Sequence, residues 1–201
     1  DAKQLYYLQF SNRGEKLDLE ADPYLALYNE YFGGGMNAIV FQEMREARGL
    51  AYSASGRLIE PEHKDDSYKY FAFIATQNDK MQIAIQAFDE IINEMPESET
   101  AFNIAKEALM TSIRTQRITG RNILNSYRNT REMGLTEHRS KKIYEVLPTL
   151  TLEDVKATQD KWVEGRTYHY GILGDIKDLD TKYLNTLGPV TTLTLEEIFG
   201  Y

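Results

Sequence analysis

The sequence predicts an α+β fold, with an antiparallel or mixed sheet and helices packed on one face. Two observations lead there. Runs rich in Tyr and Phe, with apolar residues at every second position, stand apart from runs in which they recur every three or four, and these two periods separate strand from helix. The strand runs are bunched between helical blocks, an order that suggests α+β. With 201 residues, 42% of them hydrophobic, the chain can bury a full core. No repeat, low-complexity linker or shift of composition divides it, so residues 1–201 are expected to form a single domain.

Gln4 to Phe10 is aromatic and reads as the first strand. Asp22-Pro23 starts a helix, because Asp can cap and Pro suits the first helical position, and Tyr24, Leu27, Tyr28 and Tyr31 follow at helical spacing. Phe32-Gly33-Gly34-Gly35-Met36 stops it, and Asn37 through Ala47 predicts a second helix ending at Gly49. Strands are expected at Ala51 to Ile59 and Ser67 to Thr76, joined by the charged turn Glu60 to Asp66. Asp79 opens a helix whose Met81, Ala84, Ile85, Phe88, Ile92 and Met95 form a buried face, with Pro96 as its stop. Helical runs follow over Ser98 to Ile118, Asn122 to Met133 and His138 to Val146. Thr151-Leu-Glu-Asp154 is a capping box for a helix to Val163. Arg166 to Leu173 and Val190 to Leu195 read as the last two strands.

Composition removes several classes of function. A formal net charge of −8 argues against a nucleic-acid or anionic-membrane partner, which needs a basic footprint. Without cysteine there are no disulfides, thiolate-bound metals or cysteine nucleophile. No apolar run approaches the roughly 18 residues that span a membrane. The chain opens at Asp1 with neither Met nor a signal peptide, which reads as a mature fragment or excised domain.

A self-contained catalytic centre is also missing from the pattern. His63, His138 and His169 lie far apart, and neither His-Glu-x-x-His nor His-x-x-Glu-His occurs, so no helix face offers a pair of metal-binding imidazoles. There is no Gly-x-Ser-x-Gly, and the Gly33–Gly35 run lacks the Lys-Ser/Thr of a phosphate loop. Acidic pairs such as Asp65-Asp66 and Glu196-Glu197 read as solvated, and so does a stripe of Arg114, Arg117 and Arg121 expected to share a helix face.

The segment from Phe32 to Ser53, FGGGMNAIVFQEMREARGLAYS, is far more specific. It resembles the second-half signature of the pitrilysin/insulinase family of zinc peptidases, in which a glycine-rich turn leads into a helix of the type Leu-Phe-Gln-x-x-Arg-x-x-x-Gly-Leu-Ala-Tyr. The later Thr-Leu-x-Asp-Val helix and the closing TLEEIFGY keep the same order of elements. The resemblance implies an α+β half of a clamshell that closes on a peptide. The partner half, on the same polypeptide or a separate subunit, would carry the zinc and the glutamate base, and this chain would hold no metal. It implies that Arg45 and Tyr52, seven residues apart, supply the arginine and tyrosine that act across the chamber. Arg48 is an alternative arginine, but the spacing to Tyr52 favours Arg45. Phe41 matches a chamber-lining position, and Gly33, Gly34 and Gly35 are expected to give a turn with positive φ that lets the partner half or the peptide approach. A bacterial periplasm or cell-envelope location is implied by analogy alone. Two alternatives stay open: a non-catalytic peptide-binding or assembly subunit of the same fold, and an unrelated α+β binding domain.

Overall fold

The computed structural model describes residues 4–201. Strands β1 (Gln4–Ser11), β2 (Ser53–Ile59), β3 (Lys69–Gln77) and β4 (His169–Leu173) form an antiparallel sheet in the order β2-β3-β1-β4. The register pairs Leu8 with Phe73 and with Gly171, and Ser55 with Phe73, so those four residues share one face. Along β1, Leu5, Tyr7, Gln9 and Ser11 are buried against helices, while Tyr6 and Phe10 stay exposed on the opposite face. The alternation read from the sequence is this two-sided sheet, with helices on one side.

The helices are α1 (Asp22–Gly33), a short α2 (Ile39–Phe41) that runs on as a π turn (Gln42–Ala47), α3 (Met81–Asn93), α4 (Glu99–Thr115), α5 (Ile123–Glu132), α6 (Ser140–Val146), α7 (Leu152–Trp162), α8 (Thr181–Leu187) and α9 (Leu195–Phe199). Helix α1 is the centre of the packing. Its Leu25, Leu27, Tyr28, Tyr31 and Phe32 are fully buried, and it touches α4, α6, α7 and β2. The Tyr28 hydroxyl donates to Gln159 at 2.6 Å, and Gln159 in turn donates to the Ile92 carbonyl, so a buried chain of polar groups joins α1, α7 and α3. Thr151 and Asp154 form the expected reciprocal cap of α7.

Several expectations need correction. The first residue of α1 does not cap it: Ala21 holds the N-cap position, and the Asp22 carboxylate pairs instead with Arg139. The second helix begins at Ile39, not Asn37. Strand β4 starts three residues after Arg166, whose guanidinium is buried beneath the Trp162 and Ser11 carbonyls and pairs with Glu15. The partners of the Arg166 side chain thus lie on α7, at the end of β1 and in the loop that follows β1. No strand forms over Val190 to Leu195. Thr194 and Glu197 make a capping box that starts α9, and Val190 and Leu193 stay exposed. Finally, α4 ends at Thr115, so Arg114 alone of the arginine stripe is helical.

Candidate functional site

The site is built where α1 ends, the π turn runs and β2 begins. None of Gly33, Gly34 and Gly35 has a positive φ, against expectation. Gly33 is small because α1 presses onto β2: a Cβ there would stand 2.1 Å from the Gly56 carbonyl oxygen. Gly56 is tight in return, since its own Cβ would meet the Phe32 ring at 2.9 Å. Gly34 has no room beside the Glu30 backbone, whereas Gly35 is open. The close approach is thus internal, helix end to strand.

In the π turn the Arg48 N–H donates to the Glu43 carbonyl five residues back, a coil wider than α. Ile39, Val40 and Met44 bury one side of this element, and Phe41 and Arg45 lie toward the other. A left-handed turn at Gly49 (φ +60°) then reverses the chain. The turn is tied down: Lys80 donates to the Gly49 carbonyl at 3.0 Å, and the Thr76 hydroxyl donates to that of Leu50. One residue before β2, the Tyr52 N–H reaches the Ala75 carbonyl at 2.8 Å and fixes the backbone from which the phenol projects.

These constraints bring together three of the residues singled out in the sequence. The Arg45 guanidinium carbon sits 5.1 Å from the centre of the Phe41 ring and 5.3 Å from that of Tyr52. Both distances are within cation–π range. Tyr52 is 69% exposed and the Arg45 side chain 43%. A carboxylate oxygen of Glu46 lies 3.6 Å from Arg45 Nε, a long and exposed contact worth little. Arg48 differs in kind. Its guanidinium donates to Glu90 at 2.8 Å and lies 3.6 Å from Glu43, so it is engaged at the surface in bracing the π turn against α3. What spacing alone could not supply are the positioning groups Thr76 and Lys80, which lie more than twenty residues away in sequence.

The histidines do not assemble into a centre. His63 is 3.9 Å from Glu132, His138 accepts from the Ser140 N–H, and His169 is on the outer face of β4 opposite Phe10. Among the described residues no group of three His, Cys, Asp or Glu side chains could hold a metal ion, and no helix is long and apolar enough to cross a membrane.

The profile of the peptidase M16 inactive domain matches residues 2–109, which include the whole Phe32–Ser53 segment. The chain belongs to this family. No curated protein matches the M16 chain in sequence. Among solved structures, it is similar to a peptidase M16 inactive domain from Pseudomonas fluorescens (TM-score 0.68, 18% identity, 85% of this chain and 40% of that one). It is also similar to the periplasmic protease PqqL from Escherichia coli (TM-score 0.62, 15% identity, 86% and 19%) and to a chain in complex III2 of Candida albicans with Inz-5 bound (TM-score 0.62, 13% identity, 94% and 47%). At these identities the likeness shows the fold alone, and the M16 chain spans well under half the length of the first two. Its four-stranded antiparallel sheet with helices on one face is the architecture of the M16 inactive domain.

Proposed function

We propose that this chain, as a single domain, is the non-zinc-binding half of a zinc metalloendopeptidase and closes the chamber in which an extended peptide is cut. One observation carries the reading. A guanidinium lies over two aromatic rings, one of them a phenol that faces solvent. The other half, on the same polypeptide or a separate subunit, holds the zinc, which supplies the Lewis acid and the attacking water.

In this chain, Tyr52 donates its O–H to the scissile carbonyl oxygen as negative charge builds there. A fixed donor aimed at that oxygen favours the transition state over the ground state. Arg45 offers its planar fork to backbone carbonyls, which every peptide presents whatever its side chains. Ring stacking keeps the guanidinium oriented while leaving its N–H groups free of a strong carboxylate partner. Phe41 walls the chamber, Gly34 and Gly35 edge the peptide path, and Gly33 holds the end of α1 against β2.

The test is Tyr52→Phe in the assembled enzyme. Turnover falls by about 10²–10³ with KM little changed; unaltered turnover removes Tyr52 from the mechanism. The isolated domain binds no stoichiometric zinc and cleaves nothing, and one equivalent of zinc together with peptide cleavage would sink the assignment. The second reading, a non-catalytic peptide-binding or assembly subunit, draws on the likeness to a chain of complex III2. It expects no peptide cleavage from the assembled protein at all.

A further inference from the structure

Helix α5 is turned inside out. Its Asn125, Ser126 and Asn129, with Asn122 just before it, line a cavity of about 690 Å³ together with Arg117, Arg128 and Arg139. At about 100° per residue, Ile123, Leu124 and Tyr127 fall on the opposite side. There they are 55%, 77% and 65% exposed, and no residue of α5 is buried. A helix with a segregated apolar stripe ordinarily turns it to the core. This one presents it to solvent, as interaction surfaces do.

Charge says what would cover the stripe. From Ala108 to Arg131 the chain carries five arginines and no acidic residue, within a protein of net charge −8. Arg131 lies one turn beyond Tyr127 on that outward side, and Arg121 precedes the helix. Arg114 is engaged with Tyr144, Arg117 with the Arg114 and Gln116 carbonyls at the end of α4, and Arg128 lines the cavity beside Glu132.

We infer that the outward face of α5 docks an acidic polypeptide segment bearing apolar side chains. The apolar groups cover Ile123, Leu124 and Tyr127, and the carboxylates meet Arg121 and Arg131. An anionic lipid surface would also attract a basic amphipathic helix. Three apolar residues on a ten-residue helix give it little to insert, however, and the acidic remainder of the protein would be repelled. A polypeptide feels only the local field, because screening confines it to about 8–10 Å at physiological salt. The face is separate from the Arg45–Tyr52 stack: Arg139 on the cavity wall pairs with Glu60, just beyond the end of β2 remote from Tyr52. The inference therefore does not depend on the catalytic reading.

A fluorescein-labelled peptide of repeating Glu-Glu-Leu, with a Lys-Lys-Leu peptide as control, tests it by anisotropy on the full chain. The Glu peptide binds and the Lys peptide does not. Added salt weakens the complex, and Tyr52→Phe leaves it unchanged. Leu124→Ser and Arg121→Gln/Arg131→Gln each weaken it by about tenfold with an unaltered circular dichroism spectrum, because all three side chains are exposed. Equal binding of both peptides, no binding, or indifference to these substitutions overturns the inference. So does capture of the protein by phosphatidylserine vesicles or self-association through this face when the Glu peptide is ignored.

Discussion

Arg139 is the most informative residue to remove. Its Nη2 and Nε grip both carboxylate oxygens of Asp22 at 2.6 and 2.8 Å, and its Nη1 donates to Glu60 at 2.8 Å. One guanidinium thereby clamps the residue before α6, the start of α1 and the end of β2. The Asp22 side chain is only 4% exposed, so Arg139→Met would leave a carboxylate in the interior without a counter-ion. Breaking a buried pair by deleting one partner costs about 3–5 kcal/mol. The positive end of α1 partly offsets the stranded charge, which places the expectation near the lower end, about 3 kcal/mol. For a chain of this length that is a fall in melting temperature of about 6–12 °C. Urea unfolding at neutral pH, followed by circular dichroism, measures it as a lower midpoint at constant slope. Asp22→Asn combined with Arg139→Met should recover much of the loss, because the second change removes the stranded charge. A loss below about 1 kcal/mol for Arg139→Met, or a double variant no better than the single, would refute the reasoning.

Other substitutions probe the site's supports and the acidic interior. Gly33→Ala drives a methyl into the Gly56 carbonyl and should destabilise by about 1–3 kcal/mol. Gly35→Ala, with nothing within 4 Å, should stay within about 0.5 kcal/mol; equal thermal melts for the two would contradict the packing described. Gly49→Ala forces a side chain into φ +60° and should cost about 1–2 kcal/mol by urea midpoint, with no loss pointing to a turn that relaxes. Burial raises the Asp89 carboxyl above its ordinary range, with the Gln9 amide donating to it at 2.9 Å as a smaller opposing influence. The folded protein therefore holds that proton more tightly than the unfolded chain. Its contribution to stability is greatest below the unfolded value and is lost as pH rises through the folded one. Asp89→Asn keeps the acceptor for Gln9 and abolishes the titration, so its urea midpoint should exceed that of the natural chain at neutral pH and converge with it toward acid. A gap that widens toward acid is the wrong sign.

Elements with a strong period or a strong cap were legible in the sequence. The buried face of α3, the capping box at Thr151 and the alternation of β1 follow from residue type and spacing. Phe41, Arg45 and Tyr52 were marked by a motif, which says nothing of why they meet. Their stacking depends on the π turn and on Lys80 and Thr76 from a distant segment. The misreadings share a physical origin. Asp22, Arg166 and Thr194 each carry a side chain with more than one available partner, and the sequence does not tell which wins. Asp22 gave up its cap for Arg139, Arg166 burrowed under Trp162, and Thr194 took a helix cap over a strand. The glycines at 33 and 34 were likewise ambiguous, since want of a side chain serves a close contact as well as a left-handed turn.

The loose coil from Gln42 to Ala47 takes up more residues per turn than a plain helix would over the same rise. A chain one residue shorter in that stretch could still wind into an ordinary helix and lie on the sheet. Its outline would survive while the guanidinium shifted around the helix relative to the Tyr52 ring, which a separate segment holds. Length changes there should thus disturb the approach of Arg45 to Tyr52 without melting the chain, the reverse of what a damaged core does.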